Sequence, residues 1–292
     1  MDKFVSDQAA GLRRLLGQTG FQVITVMSGQ KGAGKTAATA NLAVALARSG
    51  RDVLIVDQDR HGHGACAALG LTPRFDVADV LERRCTLDAL LLDGPDNVQV
   101  LPIGGCFKRL GQLSERDQEW LAQSFDRLQC GVDVVLVDME EATDPDALPL
   151  GLAASEIMVV LPPGNTAITQ GYTLVKRLAH NFGKRQFRLL LNRMESPEQA
   201  QAVARNFAQT AERYLGVSVD YLGYIPLDER LSRAGHLRTS VVDAFPVAQS
   251  TSQFRKLADG LLRWPQQASL GNVGGFMQRV IQGSRMMEAC RR

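Results

Sequence analysis

Gly29-Gln30-Lys31-Gly32-Ala33-Gly34-Lys35-Thr36 fits the pattern GxxxxGK[ST] and stands directly after the apolar run QVITVM at 22–27. No other part of the chain restricts its fold as much. A glycine-rich loop can turn successive backbone N–H groups inward around phosphate oxygens only if a strand delivers the chain and a helix N-terminus receives it. Lys35 would then neutralise β- and γ-phosphates, and Thr36 would ligate Mg²⁺. A strand, a phosphate-binding loop and a helix over 35–49 are therefore expected at the start of the folded part.

The remaining sequence repeats the same alternation. DVLIVD (52–57), VQVLPI (98–103), VDVVLVD (132–138), EIMVVLP (156–162), FRLLLN (187–192) and VDYLGYIP (219–226) are short, almost wholly apolar runs. Strands covered on both faces have this character. Helical spacing falls between them, at 114–128, 166–181, 196–214 and 250–263. The expected fold is α/β, a doubly wound and mostly parallel sheet with helices on both faces. No linker or repeat interrupts residues 21–264, which are expected to form one domain. Residues 1–20 add an amphipathic helix in front, and 265–292 add a linker and tail behind.

Composition removes several classes of function. The 292 residues carry a formal charge of +2, so no global field draws the chain to nucleic acid. No apolar run reaches the ~18 residues of a membrane span. The N-terminal MDKFVSDQAAGLRRLL has charges where a signal peptide needs its apolar centre. Cys66, Cys85, Cys106, Cys130 and Cys290 are an odd, scattered set without a CxxC pair, as in reduced cytosolic proteins. A cytoplasmic location is expected.

Three carboxylates belong to the chemistry of the loop. Asp57 and Asp59 follow the second strand, and Asp138 ends the VDVVLVD run. In a parallel sheet the carboxyl ends of the strands converge on the ligand crevice, so all three can reach the Mg²⁺–phosphate region, Asp57 directly or through water. Strand-end aspartates also serve as loop starters and helix caps. His61-Gly62-His63 with Cys66 has the residue types of a zinc site but lacks a fourth ligand at usable spacing, and a glycine-loosened loop explains it equally.

The phosphate loop, the Asp57-x-Asp59 pair and PPGNTAITQGYTLVK (162–176) resemble the MinD/ParA class of deviant Walker ATPases. Within that class, VADVLERRCTLDALLLDGPDNVQVLP (77–102), the pair Asn192-Arg193 and YLGYIPLDERLSRA (221–234) are similar to the FlhG/FleN type of flagellar number regulators. The resemblance implies ATP and ADP as ligands with Mg²⁺, Asp59 as the residue orienting the attacking water, Asp138 as the Walker B carboxylate, and Asn192 reading adenine with Arg193 beside it. It also implies an ATP-dependent homodimer. Asp7-Gln8-Ala9-Ala10-Gly11-Leu12-Arg13 matches the element that such regulators present to FlhF, a GTPase of the signal-recognition-particle type; Asp7, Gln8, Ala9, Leu12 and Arg13 are the residues implied. Two departures bear on turnover. The family places a signature lysine just after the first glycine, where this chain has Gln30 and then Lys31; after Asp138 it has Met139-Glu140-Glu141 in place of a small glycine-containing turn.

Val273, Phe276, Met277, Val280 and Ile281 fall at i, i+3, i+4, i+7 and i+8, one face of a helix flanked by Arg279 and Arg285. Such a face suits either the surface of its own domain or an anionic lipid surface, and reversible attachment to the inner membrane is the expectation drawn from it. The leading reading is a nucleotide-switched regulatory ATPase acting with an FlhF-type GTPase. Its alternatives are a degenerate module that holds nucleotide without hydrolysing it, and a ParA-like DNA-partitioning ATPase, which the neutral charge disfavours. No specific nucleic acid partner is expected.

Overall fold

The computed structural model describes residues 21–59, 61–104, 107–126, 131–139, 148–264 and 272–289. The expected N-terminal helix with Asp7, Gln8, Ala9, Leu12 and Arg13, and the pair Glu140-Glu141, lie outside the described residues.

The strands are β1 (Gln22–Met27), β2 (Val53–Asp57), β3 (Leu92–Asp93), β4 (Val98–Pro102), β5 (Val134–Asp138), β6 (Glu156–Leu161), β7 (Gln186–Met194) and β8 (Ser218–Pro226). They form a sheet in the order β3-β4-β2-β5-β1-β6-β7-β8. Among the described residues only the short edge strand β3 runs antiparallel to its neighbour. The helices are α1 (Lys35–Arg48), α2 (Ala65–Ala68), α3 (Val77–Leu81), α4 (Phe107–Gln112), α5 (Glu115–Asp126), α6 (Leu148–Ala153), α7 (Asn165–Phe182), α8 (Pro197–Leu215), α9 (Glu229–His236), α10 (Val241–Ala244), α11 (Gln249–Arg263) and α12 (Val273–Ala289).

Strand side chains alternate between two cores, as the period of two requires. Val23 and Met27 of β1, Leu54 and Val56 of β2, and Val135 and Val137 of β5 enter one core, which α7, α8 and α12 cover. Ile24 and Val26, Val53 and Ile55, and Val134 and Leu136 enter the other, under α1 and α11. Both faces are buried, which is why these runs look uniformly apolar in sequence. Helix ends follow local chemistry. The Ser196 side chain caps α8 by accepting from the Gln199 N–H at 3.1 Å, and Gly216 closes that helix in the left-handed conformation.

One charged cluster crosses the sheet near the amino ends of its strands. Arg188 of β7 donates to Glu156 of β6 at 3.0 Å and to Asp220 of β8 at 2.5 Å, and Gln22 of β1 donates to Glu156 at 2.6 Å. The guanidinium lies 3.9 Å from the ring centroid of Trp264, at the end of α11. Each buried polar atom named here has a partner, so the cluster is tolerated within an apolar sheet.

The tail differs from the lipid-facing expectation. Val273, Phe276, Met277, Val280 and Ile281 are buried in the same core as β1 and β5. α12 lies against α4, α5 and α6, with Gly283 seated on Pro149. Arg279 stays exposed, and Arg285 is 3.6 Å from Glu115 on the outer side. The apolar stripe is core in this conformation because α4, α5 and α6 would otherwise leave their own apolar faces in water.

Candidate functional site

β1 delivers the chain to loop 29–34 at the carboxyl edge of the sheet, and α1 leaves from it. Gly32 (φ 74°) and Gly34 (φ 89°) are left-handed, the region where a side chain would be strained. A Cβ on Gly29 would stand 2.2 Å from the Gln170 carbonyl oxygen of α7, so the loop can lie this close to α7 only with glycine. No acidic residue occupies the first turn of α1, and Gly34 offers no side-chain cap. The free N–H groups and the positive end of the helix dipole are thus left for an anion.

Lys35 is 8% exposed and lies in the first turn of α1 beside the half-buried Thr36. Asp57 and Asp138 are register partners at the ends of β2 and β5, and each is 3% exposed. Asp57 accepts from the Asp59 N–H at 3.1 Å and from the Cys66 N–H at 2.8 Å. Asp138 accepts from the Thr39 hydroxyl at 3.4 Å, while that hydroxyl also donates to the Lys35 carbonyl at 3.0 Å. Burial, helped by the neighbouring Asp57 charge, pushes the Asp138 carboxyl up to about 7, against the pull of Thr36 and Lys35. Burial likewise raises the Cys66 thiol, helped by Asp57, so Cys66 carries a proton here.

Asp59 is half-buried one step further out and accepts from the His63 N–H at 2.7 Å. Gly64 lets this turn close, because a Cβ there would sit 2.2 Å from Asp57 Oδ1. Among the described residues no group of three or more His, Cys, Asp or Glu could hold a metal ion. The donor set fits Mg²⁺, which takes one or two protein oxygens and keeps water and phosphate oxygens for the rest. Two adjacent buried carboxylates, one of them raised mainly by its burial and further by the other's charge, also make the position favourable for a cation.

Asn192, buried at the end of β7, donates its amide to the Ala33 carbonyl at 2.7 Å. It fills the space beside Gly34, where a Cβ would lie 2.1 Å from its nitrogen. Arg193 follows in the left-handed region at φ 57° with an exposed side chain. Gln30 has a side-chain oxygen that is buried without a hydrogen-bond partner among the described residues, and Lys31 is exposed. Met139 points into the core.

The structure therefore brings Lys35, Thr36, Asp57 and Asp138 together, with Asp59 at the margin and Asn192 under the loop. Thr39 and Gly64 also belong to the site and were not picked out in the sequence. Thr39 follows Lys35 by four residues, one helical turn, so its place on the loop-facing side of α1 was available from spacing. Nothing local marked Gly64, whose need for glycine arises from Asp57 across the turn.

The raised Asp138 carboxyl carries a pH signature. Its folded value lies above its ordinary one, so its contribution to stability is complete at about pH 4 and is lost as pH rises through about 7. A cation beside it favours the carboxylate, so Mg²⁺ with nucleotide, if bound there, would expel the proton. Affinity is expected to be about tenfold weaker at pH 6 than at pH 8. Calorimetry in buffers of different ionisation enthalpy should record proton release near pH 7, and Asp138→Asn should remove it.

Residues 24–240 match the family model described as the CobQ/CobB/MinD/ParA nucleotide binding domain. The antiactivator FleN of Pseudomonas aeruginosa is 34% identical over 262 residues, covering 89% of this chain and 94% of that protein. The septum site-determining protein MinD of Pyrococcus horikoshii, solved with Mg-ADP, superposes with a TM-score of 0.63 at 25% identity, covering 82% of this chain and 96% of that one. MinD of Aquifex aeolicus has the same fold, with a TM-score of 0.62 at 22% identity over 85% of this chain and 99% of that one.

Proposed function

Because the chain belongs to the CobQ/CobB/MinD/ParA family of nucleotide-binding domains, we propose that it is a nucleotide-switched regulatory ATPase controlling flagellar number or placement. The observation that carries the nucleotide chemistry is the side-by-side burial of Asp57 and Asp138 next to Lys35 and Thr36. The regulatory role rests on the likeness to an antiactivator over nearly the whole of both chains.

In this reading the loop N–H groups and Lys35 hold the β- and γ-phosphates, and Thr36 and Asp57 hold Mg²⁺, directly or through water. When bound, that ion neutralises charge on the phosphate oxygens. Asp59 orients the attacking water, and Asp138 holds Thr39, and through it the first turn of α1, against β5. The Asn192 amide nitrogen is already used on Ala33, so its oxygen is left to accept from the exocyclic amino group of adenine. Phosphate release from ATP, lost in Asp59→Ala with ATP affinity retained, tests the assignment; turnover that survives in that variant overturns it.

A second reading, a module that holds nucleotide with little turnover, is favoured by Gln30. Its neutral amide stands where relatives of the MinD/ParA class use a lysine across a dimer, and a neutral group does far less for a developing phosphate charge. Slow hydrolysis and weak ATP-dependent dimerisation are expected, and Gln30→Lys should strengthen the dimer. Light scattering with ATP measures this, and brisk turnover in the unaltered protein removes the second reading.

Action on an FlhF-type GTPase through residues 7–13 is part of the proposal. A peptide of residues 1–20 is expected to accelerate GTP hydrolysis by such a partner, and no stimulation by peptide or full chain overturns it. Among the described residues, no helix is long and apolar enough to cross a membrane. Peripheral attachment through α12 has a condition, since the stripe must first leave its groove. Pelleting with anionic liposomes in ATP but not in ADP would meet that condition.

A further inference from the structure

Leu190 enters the core under α1, and Asn192, two residues further along β7, points to the same side of the sheet. Regular pairing ends here. The register with β8 slips between Leu191 and Met194, and Arg193 takes its left-handed backbone one step later. Asn192 is 4% exposed, so packing fixes the direction of its side chain. Its amide nitrogen meets the Ala33 carbonyl at 2.7 Å, across 159 positions of sequence.

That carbonyl and the Gly34 N–H belong to one trans peptide plane, in which they point in opposite directions. Fixing the carbonyl on Asn192 therefore aims the N–H to the other side. The Gly34 carbonyl is engaged as well, since it accepts from the Ala38 N–H at 2.9 Å in the first turn of α1. The Gly34 N–H itself has no partner among the described residues. No other described group holds this plane. Glycine populates both signs of φ, so Gly34, left-handed at 89°, would let the peptide turn over at little steric cost. Turned over, it would present the Ala33 carbonyl to a phosphate oxygen, an acceptor in place of a donor. Asn192 also shuts position 34 to other residues, because a Cβ there would lie 2.1 Å from its nitrogen.

We infer that Asn192 is a positioning residue of the phosphate-binding loop: by holding the Ala33 carbonyl, it keeps the Gly34 N–H turned toward the phosphates. This task is separate from any contact with the base, and the inference rests on the nucleotide-binding reading above. The Ala33 residue is buried, so its carbonyl needs a partner in any case, and Asn192 supplies one only in the orientation that frees the N–H. Loss of Asn192 should thus weaken every ligand that carries the phosphate chain, whatever base it bears.

The test uses the full chain with Mg²⁺–ATP and with Mg²⁺–tripolyphosphate, which has no base. Asn192→Leu keeps the branch at Cγ and removes the donor without adding charge; Asn192→Ala takes its place if the leucine variant does not fold. Calorimetry is expected to show a loss of affinity of about tenfold or more for both ligands, with little change in Tm. Amide NMR adds a signature that a packing defect does not produce. The Gly34 N–H resonance should move downfield when tripolyphosphate binds the unaltered chain and should stay in place in the variant. A loss confined to ATP, with tripolyphosphate affinity unchanged, means that Asn192 acts on the base alone; it overturns the inference and leaves the ATPase reading intact. A Gly34 resonance that still moves in the variant overturns it too. If the unaltered chain binds neither ligand, the nucleotide reading fails, and the inference with it.

Discussion

Lys35→Ala is expected to abolish binding of Mg²⁺–ATP at ordinary nucleotide concentrations while the protein still folds. Lys35 stands in the first turn of α1 beside the loop, where a bound phosphate would give its ammonium charge-assisted partners. Each charge-assisted contact contributes ~1.5–3 kcal/mol, so losing two weakens affinity by about 10²- to 10⁴-fold. The fold survives because Asp138, which Lys35 pulls toward ionisation, responds to its loss by keeping its proton. Calorimetric titration with ATP, beside a thermal melt of the same sample, checks both halves. Unchanged affinity would overturn the loop assignment, and an unfolded variant would show that Lys35 is structural.

Phe276→Ala should cost about 3–5 kcal/mol, the usual range for emptying a fully buried phenylalanine site. Phe276 is 0% exposed among α4, α5 and α6, whereas Met286 on the same helix is 71% exposed. Met286→Ala is therefore the control, with an effect within about 0.5 kcal/mol. Urea unfolding measures the loss. Limited trypsin digestion shows where it falls, since a helix released from its groove is cut at Arg279 and Arg285 before the sheet opens. A stripe that faced solvent or lipid would make Phe276→Ala as silent as the control.

The fold was legible because its determinants are local or periodic. The apolar runs became strands β1, β2 and β4 to β8, and the helical spacing at 35–49 and 166–181 became α1 and α7 with ends moved by a residue or so. Short elements were not legible. β3 has two residues and α2, α3 and α10 have four or five, too few to show a period. The buried Arg188–Glu156–Asp220 cluster was invisible for another reason. Each residue is an ordinary polar position in its own strand, and only the β6-β7-β8 order makes them neighbours.

The site divides in the same way. Lys35, Thr36 and the glycines of loop 29–34 are specified within eight residues, because a phosphate-binding turn is a property of one short stretch of backbone. Asp57 and Asp138 could be named as strand ends. That burial and their closeness keep Asp138 partly protonated is a consequence of β2 pairing with β5.

By itself the sequence determined the parallel sheet, the loop and the existence of an amphipathic helix at the C-terminal end, since periodicity and glycine spacing act over one or two turns of chain. Only the tertiary structure decided what that helix faces. An apolar stripe states that it needs an apolar partner and says nothing of which one. The partner here is assembled from residues 107–126 and 148–153, more than a hundred positions away, and exists only once α4, α5 and α6 have packed on the sheet.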